Sequence, residues 1–267
     1  MDFSVVAGMF DKLESTSSRL EMADIMAGHF SKAEPHELRS IIYMSQGRLQ
    51  PEFVGQEFGM ADRLVLKAIS FTSGDTDATA EALWFELGDP GAVAERLLGK
   101  KKQMTLFSEK LTLSKVIEVM TAIAETEGRD SQNKKMKLLA NLLHNSGPIE
   151  ARYICRIVAG RMRIGAASMT ILDALALAFA EKSDRDEIER AFNVTSDLGM
   201  VAETLATGGL EAVRGIKVGV GNPIKVMLAE RLPSLGEILE RMGGKAALEY
   251  KYDGIRVQAH ISPDGVK

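Results

Sequence analysis

The sequence is short of cysteine, of long apolar runs and of net positive charge, and each shortage excludes a class of protein. The single cysteine, Cys155, cannot form an internal disulfide, so we expect a reducing, cytoplasmic environment. The most apolar run, residues 171–180, is interrupted by Asp173 and falls short of the roughly 20 apolar residues of a membrane-spanning helix. Neither a disulfide framework nor membrane insertion is expected.

Charge and composition narrow the class further. The formal net charge is -4 over 267 residues, which argues against a protein that coats nucleic acid by bulk charge but leaves local basic patches open. Apolar residues make up 45% of the chain and charged residues 26%, proportions that support a folded core rather than disorder. The four scattered histidines and one cysteine do not suggest a zinc site.

The first 215 residues have a helical pattern. Apolar residues recur at intervals of three and four, as in Leu113, Val116 and Met120, and glycines separate the periodic segments. Asp89-Pro90 is a helix start signal, and the segment 183–186 resembles a capping box. We predict a mainly α protein whose residues 1–215 form one all-helical domain of roughly ten helices.

The pattern changes after residue 215. Residues 216–223 contain two glycines and a proline without helical periodicity, as a linker would, and residues 224–267 begin a second domain. One helix is predicted there, with a capping box at Ser234–Glu237 and a stop at Gly243-Gly244.

Beyond that stop, apolar and polar residues alternate with a period of two. Residues 248–252 and 255–261 are predicted strands, joined by a turn at Asp253-Gly254. One face of this hairpin would be apolar, and the other would carry Glu249, Lys251 and Arg256. Two cations and a carboxylate on one face suit a phosphate-bearing ligand, and a deprotonated lysine is also a nucleophile. A solvated outer face is the simpler alternative, and spacing alone does not decide between them.

Residues 251–256 fit the K-x-D-G-x-R signature of covalent nucleotidyltransferases, and EYKYDGIRVQAH (249–260) resembles the form in ATP-dependent DNA ligases of the archaeal and eukaryotic replicative type. The helical region resembles the DNA-binding domain of that family, in the same order, over LGDPGAVAERLL (87–98), KQMTLFSEKLTL (102–113), SQNKK (131–135), EARYICRIVAGRMRIGAASMTILDALA (150–176) and SDLGMVAE (196–203). The resemblance implies that the second domain is the start of an α+β nucleotidyltransferase domain.

The resemblance also implies roles for single residues. Lys251 would attack the α-phosphate of ATP to form a lysine-AMP intermediate, with Glu249 contacting the base and Arg256 the ribose or phosphate side. Asp253 would support the later sealing step, in which AMP passes to the 5′-phosphate of a nick and the 3′-hydroxyl displaces it. ATP and Mg²⁺ are the implied cofactors, nicked duplex DNA the substrate, and DNA replication, repair and recombination the context.

Three basic groups are candidates for binding DNA phosphates: residues 100–102, Lys134 and Lys135 with Lys137, and Arg152, Arg156, Arg161 and Arg163. On an unbroken helix Arg152, Arg156 and Arg163 would form one stripe, which Gly160 would interrupt. A stripe of basic residues is usually a solvent-exposed face with no ligand. The resemblance favours instead DNA binding through phosphates, without base readout. A monomer is expected, nucleoid-associated in an archaeal cell, with a sliding clamp as a further partner through segment 102–107.

Several alternatives stay open. An RNA ligase or capping-type guanylyltransferase shares K-x-D-G but is not expected to carry this helical domain, and an NAD-dependent ligase differs around the lysine. The chain stops at Lys267, before most of the family's adenylation domain and the OB-fold that follows it. We therefore expect the 267-residue chain to bind DNA weakly and in a salt-dependent way without charging itself with AMP, and a non-catalytic DNA-binding module is the further alternative.

Overall fold

The computed structural model describes residues 1–100, 110–162, 164–165, 167–226, 230–250, 252–255, 257–263 and 265–266. Within these ranges the chain is mainly helical, with thirteen α-helices and two short 3₁₀ helices at Glu52–Val54 and Lys182–Asp184, and this confirms the predicted fold class. The α-helices are α1 (Phe3–Glu14), α2 (Arg19–Phe30), α3 (Pro35–Ser45), α4 (Asp62–Ser73), α5 (Asp77–Leu87), α6 (Pro90–Leu98), α7 (Leu113–Glu125), α8 (Ser131–His144), α9 (Pro148–Val158), α10 (Ser168–Phe179), α11 (Arg185–Thr195), α12 (Leu198–Arg214) and α13 (Leu235–Arg241).

Two helix ends follow the capping residues in the sequence. The Asp89 carboxylate accepts a hydrogen bond from a backbone N–H in the first turn of α6, and Pro90 occupies the first helical position. Ser234 caps α13 in the same way, and Gly243 and Gly244 follow it with φ angles of +69° and +87°. Both predicted helix starts are confirmed.

The predicted capping box at 183–186 was wrong. Asp186, the carboxylate at the end of the predicted box, lies inside α11, which begins at Arg185. The box is formed instead by Glu181 and Asp184, where the Glu181 N–H donates to the Asp184 carboxylate at 3.1 Å. A 3₁₀ turn precedes α11 here, so the unsatisfied N–H groups that need a cap lie two residues earlier than the sequence pattern indicates.

The core is formed by helix pairs that pack face to face. α6 packs on α9, α2 on α10, α3 on α12, and α4 on α8. Its largest fully buried side chains include Phe3, Phe10, Phe30 and Tyr153. Val213, near the end of α12, is the last buried residue among those described, so the residues after it add no buried side chain to this core.

Two of these helix pairs approach so closely that only glycine fits at the contact. A Cβ atom on Gly199 of α12 would lie 2.4 Å from the ring of Tyr43 in α3, and one on Gly91 of α6 would lie 2.6 Å from the backbone oxygen of Arg152 in α9. The Tyr43 hydroxyl also donates to the carboxylate of Asp197 at 2.6 Å, and Asp197 caps α12. Close packing and a buried hydrogen bond thus fix α3 against α12.

The predicted hairpin around Asp253-Gly254 differs from the structure. The described residues between 245 and 260 form no strand, and the two antiparallel strands are β1 (Ile261–Ser262) and β2 (Gly265–Val266), with Ile261 opposite Val266. Side chains of the predicted apolar face, such as Tyr250 and Ile255, are exposed. An isolated two-stranded hairpin is marginally stable, and no described element covers this face to support one.

Gly199→Ala is expected to lower the free energy of unfolding by about 1–3 kcal/mol, because its methyl group would overlap the Tyr43 ring. Gly28→Ala is the matched control, since Gly28 is an exposed residue of α2 with open space around its Cβ position. We expect it to stabilise the chain by about 0.5–1 kcal/mol. Urea unfolding of both variants measures the difference, and a neutral Gly199→Ala would contradict the close approach of α3 and α12.

Candidate functional site

The nucleotidyltransferase motif lies in an exposed part of the described chain. Glu249 and Asp253 are exposed, whereas Lys251 and Arg256 lie outside the described residues. The rings of Tyr250 and Tyr252 lie with their centroids 6.3 Å apart, as expected for residues two apart in an extended chain. The roles of Lys251, Glu249, Arg256 and Asp253 therefore stay predictions.

The segment after the motif is tied to the predicted linker by side chains. The Gln258 amide accepts a bond from the Ile224 N–H at 2.9 Å and donates to the Ile224 carbonyl at 2.6 Å. The Gly221 N–H donates to Nδ1 of His260 at 3.1 Å. Gln258 and His260 alternate with the apolar residues of the second predicted strand, as Arg256 does, but nothing in the sequence indicates that they hold this segment in place.

Lys225, two residues after the predicted linker, contacts α11. The Lys225 N–H donates to the carbonyl of Asn193 at 2.7 Å, and its ammonium nitrogen lies 4.5 Å from the centroid of the Phe192 ring. These contacts connect the helical core, through residues 221–225, to the segment that follows the motif. Sequence reasoning missed Lys225 because a single lysine near a proline carries no periodic signal.

Arg152 and Arg156, two of the predicted DNA contacts, lie between helices rather than on an outward stripe. Their guanidinium groups are largely covered, with 21% and 11% of the side chains exposed. Arg152 donates to Glu95 at 2.6 Å and to Asp11 at 2.8 Å, and Arg156 donates to Asp89 at 2.8 Å and to Glu14 at 2.6 Å. The two arginines therefore bridge α1, α6 and α9.

Electrostatics within this cluster favour the charged forms. Burial alone would lower the pKa of Arg156, but its hydrogen bonds to Glu14 and Asp89 outweigh burial and hold that pKa above its usual value. Burial would likewise raise the pKa of Glu14, yet the bonds from Arg156 and Tyr153 lower it overall. The cluster is a set of ion pairs that stabilise one another, in which both guanidinium groups are paired with carboxylates.

Arg161 differs from these two arginines because it follows α9 and is more exposed. α9 ends at Val158, and Gly160 has a φ angle of +65° that turns the chain out of the helix. Nε and Nη2 of Arg161 donate to the two carboxylate oxygens of Asp62, at 2.9 and 2.5 Å. The predicted break at Gly160 is confirmed, and Arg163 lies outside the described residues.

The two neighbouring lysines of α8 have different environments. Lys134 is exposed, and none of the described side chains pairs with its ammonium group. Lys135 is only 8% exposed and donates to the Phe58 carbonyl at 2.6 Å. Lys134 can therefore meet an external phosphate, whereas Lys135 holds the loop before α4 against α8.

Comparison with known proteins adds the family. Residues 2–176 match the family model described as DNA ligase N terminus, which covers more than half of the chain. The chain belongs to the DNA ligase family. A second model, the ATP dependent DNA ligase domain, matches residues 226–267 and so includes the motif.

Curated relatives agree with the family models. A DNA ligase of Cenarchaeum symbiosum is 46% identical over 98% of this ligase chain, DNA ligase 2 of Thermofilum pendens is 46% identical over 100%, and a DNA ligase of Nitrosopumilus maritimus is 44% identical over 100%. The resemblance to archaeal ligases is thereby confirmed. These matches cover 45%, 46% and 45% of the relatives, so the ligase chain spans about half of their length.

Potential metal ligands are not clustered among the described residues of this chain. No group of three or more His, Cys, Asp or Glu side chains in the described ranges is arranged to hold a metal ion. Glu249 and Asp253 offer carboxylates, but they are exposed and belong to no such group. None of the described helices is long and apolar enough to span a membrane.

Lys135→Ala is expected to destabilise the ligase chain by about 1–3 kcal/mol, because the Phe58 carbonyl loses its buried donor. Lys134→Ala is the neighbouring control and should change the unfolding free energy by less than about 0.5 kcal/mol, since Lys134 is exposed. Chemical denaturation followed by far-UV circular dichroism compares the two. Equal stability of both variants would show that Lys135 has no structural function.

Proposed function

We propose that this chain is the DNA-binding part and the beginning of the catalytic part of an ATP-dependent DNA ligase that seals nicks in duplex DNA. The observation that carries the proposal is the succession of two family matches, the DNA ligase N terminus over the helices and the ATP dependent DNA ligase domain over the motif. An RNA ligase or a capping-type enzyme is disfavoured because the first match is to a DNA ligase region. We propose residues 1–215, 216–223 and 224–267 as helical domain, linker and catalytic start.

In the proposed reaction, the deprotonated Lys251 amine attacks the α-phosphorus of ATP. A P–N bond forms, the P–O bond to pyrophosphate breaks, and the lysine nitrogen loses its proton. The AMP then passes to the 5′-phosphate at the nick, and the 3′-hydroxyl displaces it as the phosphodiester bond forms. Glu249 recognises the base and Arg256 the ribose or phosphate side, while Asp253 supports sealing. Mg²⁺ is carried over from the family resemblance and stays a prediction.

For DNA binding we propose unequal contributions from the basic residues. Arg161 and Lys134 are exposed enough to contact phosphates, and Arg163 remains a candidate from the sequence. Arg152, Arg156 and Lys135 act instead by holding the helices and the loop before α4 in place, because intramolecular acceptors occupy them. Contacts of this kind position a duplex without reading its sequence, as sealing of any nick requires.

The cellular setting follows from the proposed reaction. A ligase that acts in DNA replication, repair and recombination works in the cytoplasm, at the nucleoid in an archaeal cell, and we propose a monomer there. The segment 102–107, suggested as the contact to a sliding clamp, lies outside the described residues. Clamp binding through it stays a prediction.

The assigned nucleophile can be tested with a full-length ligase that carries this chain as its N-terminal half. Incubation with α-labelled ATP and denaturing electrophoresis should show an AMP adduct that Lys251→Ala abolishes. The Lys245→Ala variant, which changes a lysine six residues earlier, should still form the adduct. The 267-residue chain alone should form no appreciable adduct, and strong labelling of it would refute the proposal that it does not charge itself.

The DNA-binding proposal predicts salt-dependent affinity of the 267-residue chain for nicked duplex. The logarithm of the binding constant should fall linearly with the logarithm of salt concentration, by about 0.9 per phosphate contact. Lys134→Ala should reduce this slope by about 1, whereas Lys182→Ala, outside the basic groups, should not change it. Fluorescence anisotropy at several salt concentrations measures both slopes. Binding that does not respond to salt would exclude phosphate contacts as its basis.

A further inference from the structure

The ion pair between Asp62 and Arg161 joins residues that are 99 positions apart in the sequence. It is formed side-on: Nε and Nη2 of the guanidinium face the two carboxylate oxygens at 2.9 and 2.5 Å. This arrangement leaves Nη1 with both of its hydrogens, and none of the described residues accepts a bond from it. The pair therefore keeps a free donor edge on an arginine that already has a carboxylate partner.

The two partners differ in exposure. The Arg161 side chain is 38% exposed and that of Asp62 only 19%, so the carboxylate is the better covered of the two. Both are held by the core. The Arg161 N–H donates to the Arg156 carbonyl at 2.7 Å, and Asp62 begins α4 just after the loop that Lys135 fixes through Phe58. The direction of the guanidinium is thus set by two fixed backbone segments.

We propose that Asp62 is a positioning residue for DNA binding, which holds Arg161 with its Nη1 edge toward a backbone phosphate of the duplex. This inference rests on the proposed DNA-binding function. A free arginine side chain loses much rotational freedom when it binds phosphate, and a partner that has already fixed its direction reduces that loss. Since a guanidinium has five N–H donors, it can donate to the carboxylate and to a phosphate at the same time.

Charge alone and positioning predict opposite effects of removing Asp62 on DNA affinity. Asp62 is an anion beside a proposed phosphate site, and its removal should strengthen DNA binding if it only competes for Arg161. If it positions Arg161, its removal should weaken binding although the protein becomes more positive. Asp62→Asn keeps the shape of the side chain but replaces one of the two acceptor oxygens with a donor, so the bidentate pair cannot form.

The test compares the affinities of the 267-residue chain for nicked duplex by fluorescence anisotropy at one moderate salt concentration. Asp62→Asn should weaken binding about three- to tenfold. Asp77→Asn is the control, because Asp77 is also the first residue of its helix, α5, and its carboxylate accepts a hydrogen bond from Ser70. Ser70 lies eight residues after Asp62 in α4, roughly 12 Å along the helix axis at 1.5 Å per residue. It should leave affinity unchanged or slightly improved.

A double-mutant comparison separates positioning from general damage to the fold. In the background of Arg161→Gln, Asp62→Asn should have no further effect on affinity, because the side chain that it orients is gone. An equal loss in both backgrounds, or tighter binding by Asp62→Asn alone, would overturn the inference.

A measurement without DNA tests the ion pair between Asp62 and Arg161 separately from DNA binding. In ¹⁵N NMR spectra the Nε–H signal of Arg161 should exchange slowly with water in the native chain and rapidly in Asp62→Asn. Rapid exchange in the native chain would overturn the pair itself. A protected signal in a chain that binds no duplex would refute the proposed function, whereas a chain that binds duplex equally well with Asp62→Asn would refute only the positioning of Arg161.

Discussion

The helical part depends on one cluster of charges, in which Arg152 and Arg156 of α9 bind carboxylates of α1, of α6 and of the residue that caps α6. Tyr153 lies between them, fully buried, with its ring in edge contact with Phe10 and its hydroxyl donating to Glu14. Because partly buried charges are favourable only when paired, loss of Arg152 would leave Asp11 and Glu95 without this partner, and loss of Arg156 would do the same to Asp89. This makes α9 the element against which its neighbours are oriented.

The orientation of α9 determines where the chain turns toward solvent. The helix ends at Val158, Gly160 reverses the backbone, and Arg161 emerges beside the first residue of α4. The proposed phosphate contact is thus built where two helices, α9 and α4, hold Arg161 through the Arg156 carbonyl and the Asp62 carboxylate.

Much of the helical fold could be predicted from the sequence, because caps and periodicity act over a few residues, as at Asp89 and Ser234. The direction of a charged side chain could not. Periodicity placed Arg152 and Arg156 on one face but could not show that this face meets α1 and α6. Lys134 and Lys135 are neighbouring lysines, and nothing in the sequence distinguishes the buried one from the exposed one. The predicted strands around Asp253 failed for a related reason: a two-stranded hairpin needs another element packed on its apolar face, and alternation along the chain does not show whether one is there.

The link between the motif segment and the helices has a different energetic scale from the core. It consists of exposed or half-buried hydrogen bonds at Gln258, His260 and Lys225 and one contact of a cation with an aromatic ring. Each such bond contributes only about 0.5–1.5 kcal/mol, and none of these residues is fully buried. Opening of this connection therefore costs far less free energy than unfolding of the helical core, so local opening beside the motif segment is expected to precede global unfolding.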